Sequence, residues 1–151
     1  MRLSAKADYA LRASIELAAA GDGPVKADAI SRAQEIPQRF LEQILLDLKH
    51  AGLVASQRGA EGGYWLARPA AEIALADLIR AVEGPLANVR GQRPEELEYR
   101  GSAQPLQEVF VALRANIRAV LETVTLADVA SGDLPEAIRE LARREGAWDP
   151  R

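Results

Sequence analysis

The stretch QRFLEQILLDLKHAGLVASQRGAEGGYWL, Gln38 to Leu66, decides the fold. In its first half Leu41, Ile44, Leu45 and Leu48 fall at i, i+3, i+4 and i+7, the apolar stripe of a helix buried on one side. Pro37 suits the first position of that helix, where its missing N–H costs nothing, and Gly52 suits its C-terminal cap. In the second half, residues 53–56 and 64–66 read as two short strands. The glycines between them let the chain reverse tightly, with a basic residue, Arg58, at the apex.

Working outward, residues 3–20 predict a helix. Leu3, Ala7, Leu11 and Ala18 recur at helical spacing, and Gly21 stops it. A turn at 22–25 leads into a short helix over 26–34, with Ala29, Ile30 and Ala33 inward. After the hairpin, residues 73–84 predict another short helix. Helix, short helix, turn, helix and hairpin is the order of a winged helix-turn-helix, here spanning residues 1–84. The fold class is mainly α, with a two-stranded wing.

That order predicts double-stranded DNA as a partner, with the third helix in the major groove and the hairpin against the backbone or minor groove. The apolar stripe leaves Gln38, Arg39, Glu42 and Gln43 facing outward, together with Leu46. Glutamine pairs with adenine in bidentate fashion, arginine with guanine, and glutamate accepts from the cytosine amino group. Arg58, beside Gly59 at the wing tip, suits a narrow and electronegative minor groove. Taken singly, each of these is an ordinary solvated position on an amphipathic helix. The wing following at the right distance favours the reading as an interface.

Beyond residue 84 the pattern changes. Residues 85–104 lack periodicity and read as a solvated loop. A long helix is expected over 105–127, where Leu106, Phe110, Leu113, Ile117, Val120 and Val124 step by heptad spacing, the seam of a partner helix. Residues 105–130 therefore form a dimerisation element, and 131–151 a last helix at 134–145 with a polar tail.

Composition bounds the chemistry. The 151 residues are 48% hydrophobic, enough for one packed domain, and contain no cysteine and a single histidine. Disulfides, thiolate metal sites and cysteine nucleophiles are excluded. Residues 1–66 are charge-balanced, so the net charge of −3 arises in the remainder and bulk charge gives no support to nucleic-acid binding. No signal peptide or membrane span is legible, so a cytoplasmic protein with no membrane partner is expected. No nucleophile–base set appears, and Gly59, Gly62 and Gly63 do not lead from a strand into a helix as a dinucleotide site requires. No enzyme, no cofactor and no metal are predicted.

Four segments, MRLSAKADYALRA (1–13), FLEQILLDLKHAGLV (40–54), RGAEGGYWLARP (58–69) and IRAVEGPLA (79–87), occur in order and in register. Together they resemble the Rrf-two family of bacterial transcription regulators, and the likeness resumes in the long helix and VTLADVA (124–130). That family includes the iron–sulfur-cluster assembly regulator, the nitric-oxide-sensing repressor and the cysteine-metabolism repressor. The resemblance implies a homodimer whose long helices cross, presenting two recognition helices and two wings to a palindromic operator. It assigns the base-reading segment to Leu41-Glu42-Gln43 and the wing arginine to Arg58.

The departures are informative. Pro37 and Phe40 stand where the family often has serine and tyrosine, and Ala60-Glu61 replaces the usual Pro-Gly of the wing. Cluster-binding members carry three cysteines in the region of residues 88–104, and this chain has none. Asp8 matches a position where some relatives use a carboxylate as an iron ligand, but it also sits four residues before Arg12 as a simple ion pair would. His50 closes the recognition helix and belongs to no metal set. Trp65 and Trp148 are expected to pack rather than to line a ligand site. The expected signal is a small-molecule or protein effector. The rival account keeps the winged helix but uses it for protein–protein contact, which the charge balance and Glu61 favour.

Overall fold

The computed structural model describes residues 2–150; Met1 and Arg151, the outer limits of the first and last segments assigned from sequence, lie outside the described residues. Helix α1 (Ala5–Ala20) begins at Ser4, whose Oγ accepts the Ala7 N–H at 3.0 Å, and ends at Gly21. Leu3, placed in this helix from its spacing, lies before it and is exposed. The inward face is Ala7, Ala10, Ala13 and Ser14, small residues that admit close neighbours, together with the larger Leu17.

Helix α2 (Ala27–Gln34) closes on Glu35 in the left-handed region at φ 52°, which turns the buried Ile36 inward. The Ser31 hydroxyl donates to the Ile36 carbonyl at 2.6 Å and fixes the turn. Pro37 caps helix α3 (Gln38–His50), one position earlier than its expected place inside the helix. Leu41, Ile44, Leu45 and Leu48 are all buried, as the stripe predicts. Gly52 follows with φ 75°.

The wing is the antiparallel pair β1 (Val54–Gln57) and β2 (Gly63–Leu66), with Val54 opposite Leu66 and Gln57 opposite Gly63. Val25 adds a third rung: its N–H donates to Tyr64 and its carbonyl accepts from Tyr64, both at 2.8 Å. Close backbone packing explains two of the glycines. A Cβ on Gly62 would lie 2.0 Å from the Gln57 carbonyl oxygen, and one on Gly63 would lie 2.7 Å from that of Val25.

Helix α4 (Leu75–Glu83) starts where the Asp77 carboxylate accepts the Ala74 N–H at 2.9 Å. Residues 85–104 are irregular and largely exposed, as expected of a loop, but the segment is docked rather than free. Leu86, Pro94 and Leu97 are buried, and two 3-10 turns, Pro94–Glu96 and Gly101–Ala103, shape the segment. Glu95 pairs with Arg114, Gln107 donates to the Glu95 carbonyl at 3.1 Å, and the Tyr99 and Phe110 rings stand 6.3 Å apart. Glu95 thus finds its ion-pair partner on the next helix.

That helix, α5 (Leu106–Leu121), is shorter than expected. The chain breaks after it because Thr125 and Asp128 form a capping box that starts α6 (Leu126–Ser131). Val124, assigned to the dimerisation seam, is therefore outside the helix and 4% exposed. It packs in its own chain, where its carbonyl accepts the Leu75 N–H at 2.9 Å, while the Leu126 N–H donates to Ile73. Residues 124–131 thus belong to the globular core and not to a dimerisation arm. Helix α7 (Glu136–Ala142) ends the described helices, and Trp148 is exposed, its Nε1 donating to the Ala142 carbonyl at 2.7 Å. Trp65 is half-buried opposite Ala55 on the wing. No described helix is long and apolar enough to cross a membrane.

Candidate nucleic-acid interface

Burial of the four-residue stripe on α3 turns the opposite face of the helix outward. Gln38, Arg39, Glu42 and Gln43 are all exposed there, and Leu46 is 44% exposed beside them. The Arg39 guanidinium lies 4.6 Å from the centre of the exposed Phe40 ring, which supports it at the leading end of the helix. Gln38 and Glu42 face one another at i, i+4, with Nε2 and Oε1 3.5 Å apart.

The wing stands alongside. Arg58 and Gly59 are exposed at its apex, and Gly59 has φ 104°, a conformation that favours glycine. A groove of about 540 Å³ separates the helix from the wing, lined among others by Lys26, Glu42, Leu46, Lys49, Arg58 and Tyr64. Two lysines fasten its walls. Lys26 donates to the Gly59 carbonyl at 2.6 Å, and Lys49 donates to the Ser56 hydroxyl at 2.8 Å. Sequence reading missed both, because nothing local marks a lysine that meets the wing only after folding. One turn beyond Gln43 on α3, Asp47 pairs with Lys6 at 2.7 Å and accepts from Gln43 Nε2 at 3.0 Å. These two hydrogen-bond partners hold the Asp47 carboxyl below the ordinary carboxylate range, Lys6 contributing most.

The residues assigned to dimerisation divide between two faces. Leu106 and Leu113 are exposed, at 38% and 40%, and Val109, absent from the predicted seam, is 58% exposed. Phe110, Ile117 and Val120 are half-buried, with Phe110 against Tyr99 and Ile117 packed with Ala7, Ala76, Ile79 and Leu86. No residue of α5 is fully buried in the single chain.

A helix with polar side chains outward, next to a two-stranded wing with a basic apex, defines a winged helix-turn-helix protein. Its family follows from comparison. A family model, Rrf2, described as "Iron-dependent Transcriptional regulator", matches residues 3–132, and the chain belongs to that family. Rv1287 of Mycobacterium tuberculosis (strain H37Rv), by name an HTH-type transcriptional regulator, is 52% identical over 143 residues, 94% of this chain and 89% of that protein. The HTH-type transcriptional regulator CymR of Bacillus subtilis is 37% identical over 132 residues, 87% of this chain and 91% of its own. The solved structure of CymR, described as the global cysteine regulator of B. subtilis, superposes with a TM-score of 0.75 over 89% of this chain and 99% of that one. That of T. potens IscR gives 0.71 over 91% and 90%, at 36% identity.

The family description implies iron, and the donor set does not fit it. The chain has no cysteine to supply a thiolate, and iron–sulfur clusters are held chiefly by thiolates. Among the described residues no three of His, Cys, Asp and Glu come together as a metal site. Asp8 is engaged instead by Arg12, whose Nε donates to it at 3.0 Å, and His50 is exposed at the last position of α3.

Proposed function

We propose that this chain is a sequence-specific DNA-binding transcription regulator that works as a homodimer on a palindromic operator without an iron–sulfur cluster. The observation that carries the reading is the joint exposure of Gln38, Arg39, Glu42 and Gln43 on α3 beside a wing ending in Arg58. The helix supplies base-edge donors and acceptors, and the wing, with Lys26 and Lys49 beside it, supplies backbone contacts. The positive residues at the groove compensate locally for a chain whose net charge is −3.

The dimer is supported by α5. A helix of 16 residues with Leu106, Val109 and Leu113 exposed on one side leaves that stripe uncovered by its own chain, and a second copy offers the same stripe in return. Absence of a cluster rests on the missing thiolates.

The test is fluorescence anisotropy with DNA flanking the protein's own coding region, read against salt. Groove binding predicts a palindromic footprint and an affinity that falls steeply and linearly in log–log form as salt rises. Retention of an unrelated protein with no footprint, and with little dependence on salt, would favour the protein–protein reading instead.

A further inference from the structure

We propose that Asp47, anchored by Lys6, is the positioning residue that commits Gln43 to adenine; the proposal rests on the reading of α3 as the groove-reading helix. The three side chains form a relay across two helices. Lys6 of α1 donates to Asp47 Oδ2 at 2.7 Å, and Gln43 Nε2, one turn earlier on α3, donates to Asp47 Oδ1 at 3.0 Å. The Asp47 side chain is only 22% exposed, whereas Gln43 projects from the outer face of the helix. The carboxylate thus sits one turn further along the helix than Gln43, less exposed than it, and acts through the glutamine.

A carboxylate only accepts hydrogen bonds, so it decides which end of the Gln43 amide turns back. Nε2 faces Asp47 and Oε1 faces away. An amide nitrogen carries two hydrogens. Pairing with adenine needs the one on the Cγ side to reach back to Asp47, so that the one on the oxygen side remains free beside Oε1. The free edge is therefore one donor next to one acceptor, the complement of adenine N7 and N6 in the major groove. Guanine presents two acceptors there, N7 and O6, and the fixed Oε1 would oppose the second. Without Asp47 the glutamine turns freely about its torsions and can present either end, so its discrimination relaxes. Lys6 has a second effect: it neutralises a carboxylate that would otherwise stand uncompensated close to phosphates.

The experiment uses the full-length protein and a duplex of about 30 base pairs, long enough for two half-sites a helical turn apart. The duplex is recovered by the protein from a randomised pool, and each position is then changed in turn to the other three base pairs. The parent is expected to prefer A·T at one position of each half-site by roughly tenfold, and Gln43→Ala to abolish that preference. Asp47→Ala should reduce it to about twofold at that position alone, leaving the profile elsewhere unchanged. Asp47→Glu, which keeps two acceptor oxygens for Lys6 and Gln43 Nε2, should retain most of it, and adding Asp47→Ala to Gln43→Ala should change nothing further at that position. The positioning role is overturned, with Gln43 still reading a base, if Asp47→Ala keeps the full preference, if it weakens every position alike, or if Asp47→Glu falls as far as Asp47→Ala. If Gln43→Ala leaves every position unchanged, Gln43 reads no base and the positioning role falls with it, whereas the reading of α3 itself falls only if the parent recovers no preferred duplex from the pool.

Discussion

The ammonium of Lys26 donates to the carbonyl of Gly59 at 2.6 Å, across 33 positions of sequence, and so ties the start of α2 to the apex of the wing. The neighbouring Val25 pairs with Tyr64 in the second strand, so one short segment holds the hairpin at two heights. An isolated two-stranded hairpin is marginal in water, and this one is stiffened from outside. The position of Arg58 relative to α3 is thereby set by α2.

Replacing Lys26 with Met removes the hydrogen bond to Gly59 and keeps the length of the side chain. We expect faster amide exchange at residues 58–62 and an affinity for operator DNA lower by roughly fivefold, the equivalent of about 1 kcal/mol. Hydrogen-exchange mass spectrometry and anisotropy read the two effects separately. Unchanged exchange in the wing would show that Lys26 does not hold it.

Gly62 and Gly59 should respond differently to alanine. At Gly62 the new Cβ would meet the Gln57 carbonyl oxygen at 2.0 Å, which only a backbone shift can relieve, whereas at Gly59 nothing lies within 4 Å. Gly62→Ala should cost about 2–3 kcal/mol in urea unfolding. Gly59→Ala meets no clash and should cost about 1 kcal/mol, from the positive φ alone. Equal losses at the two sites would contradict the close approach seen in the hairpin.

The parts of this fold written as local periodicity were legible in sequence. The Leu41–Leu48 stripe placed α3, and with it the outward set Gln38, Arg39, Glu42 and Gln43. What failed was tertiary. Val124 continues the heptad spacing of the preceding helix, yet the Thr125–Asp128 capping box ends that run and Val124 turns into its own core. Thr-x-x-Asp was a readable start signal that the longer apolar rhythm concealed. Asp47 and Lys6 lie far apart in sequence and carry no joint pattern; only the packing of α1 on α3 brings them together. The 85–104 segment looked solvated because it lacks periodicity and is rich in Gly, Pro and charge, but Leu86, Pro94 and Leu97 suffice to dock it.

Ser14 is fully buried in α1, and its hydroxyl has no hydrogen-bond partner. A buried unsatisfied hydroxyl keeps its desolvation cost and gains nothing in return. Ser14→Ala removes the oxygen, leaves a space smaller than a methyl group, and adds the better helix former. The expected result is a gain of about 1 kcal/mol, seen as a higher urea midpoint at unchanged slope. A lower midpoint would mean that the hydroxyl is satisfied in solution.

The dimer can be tested at a position that the single chain does not need. Ile117 packs against Ala7, Ala76, Ile79 and Leu86, so a charge there would disturb the fold as well as any interface. Leu113 is 40% exposed and lies on the same face of α5 as Leu106 and Val109, with spacings of three and four residues. Leu113→Lys should therefore leave the chain folded by circular dichroism while placing an unpaired ammonium in the apolar contact between two copies. Light scattering should then give the mass of one 16.3 kDa chain, and the melting temperature should lose its dependence on protein concentration. Affinity for a palindromic duplex should drop on the order of a hundredfold, since each half-site must be bound without the help of the other. If Leu113→Lys keeps both the dimeric mass and the concentration dependence of the parent, the exposed stripe of α5 is not the contact between copies. The two recognition helices would then have to be related through some other face of the molecule.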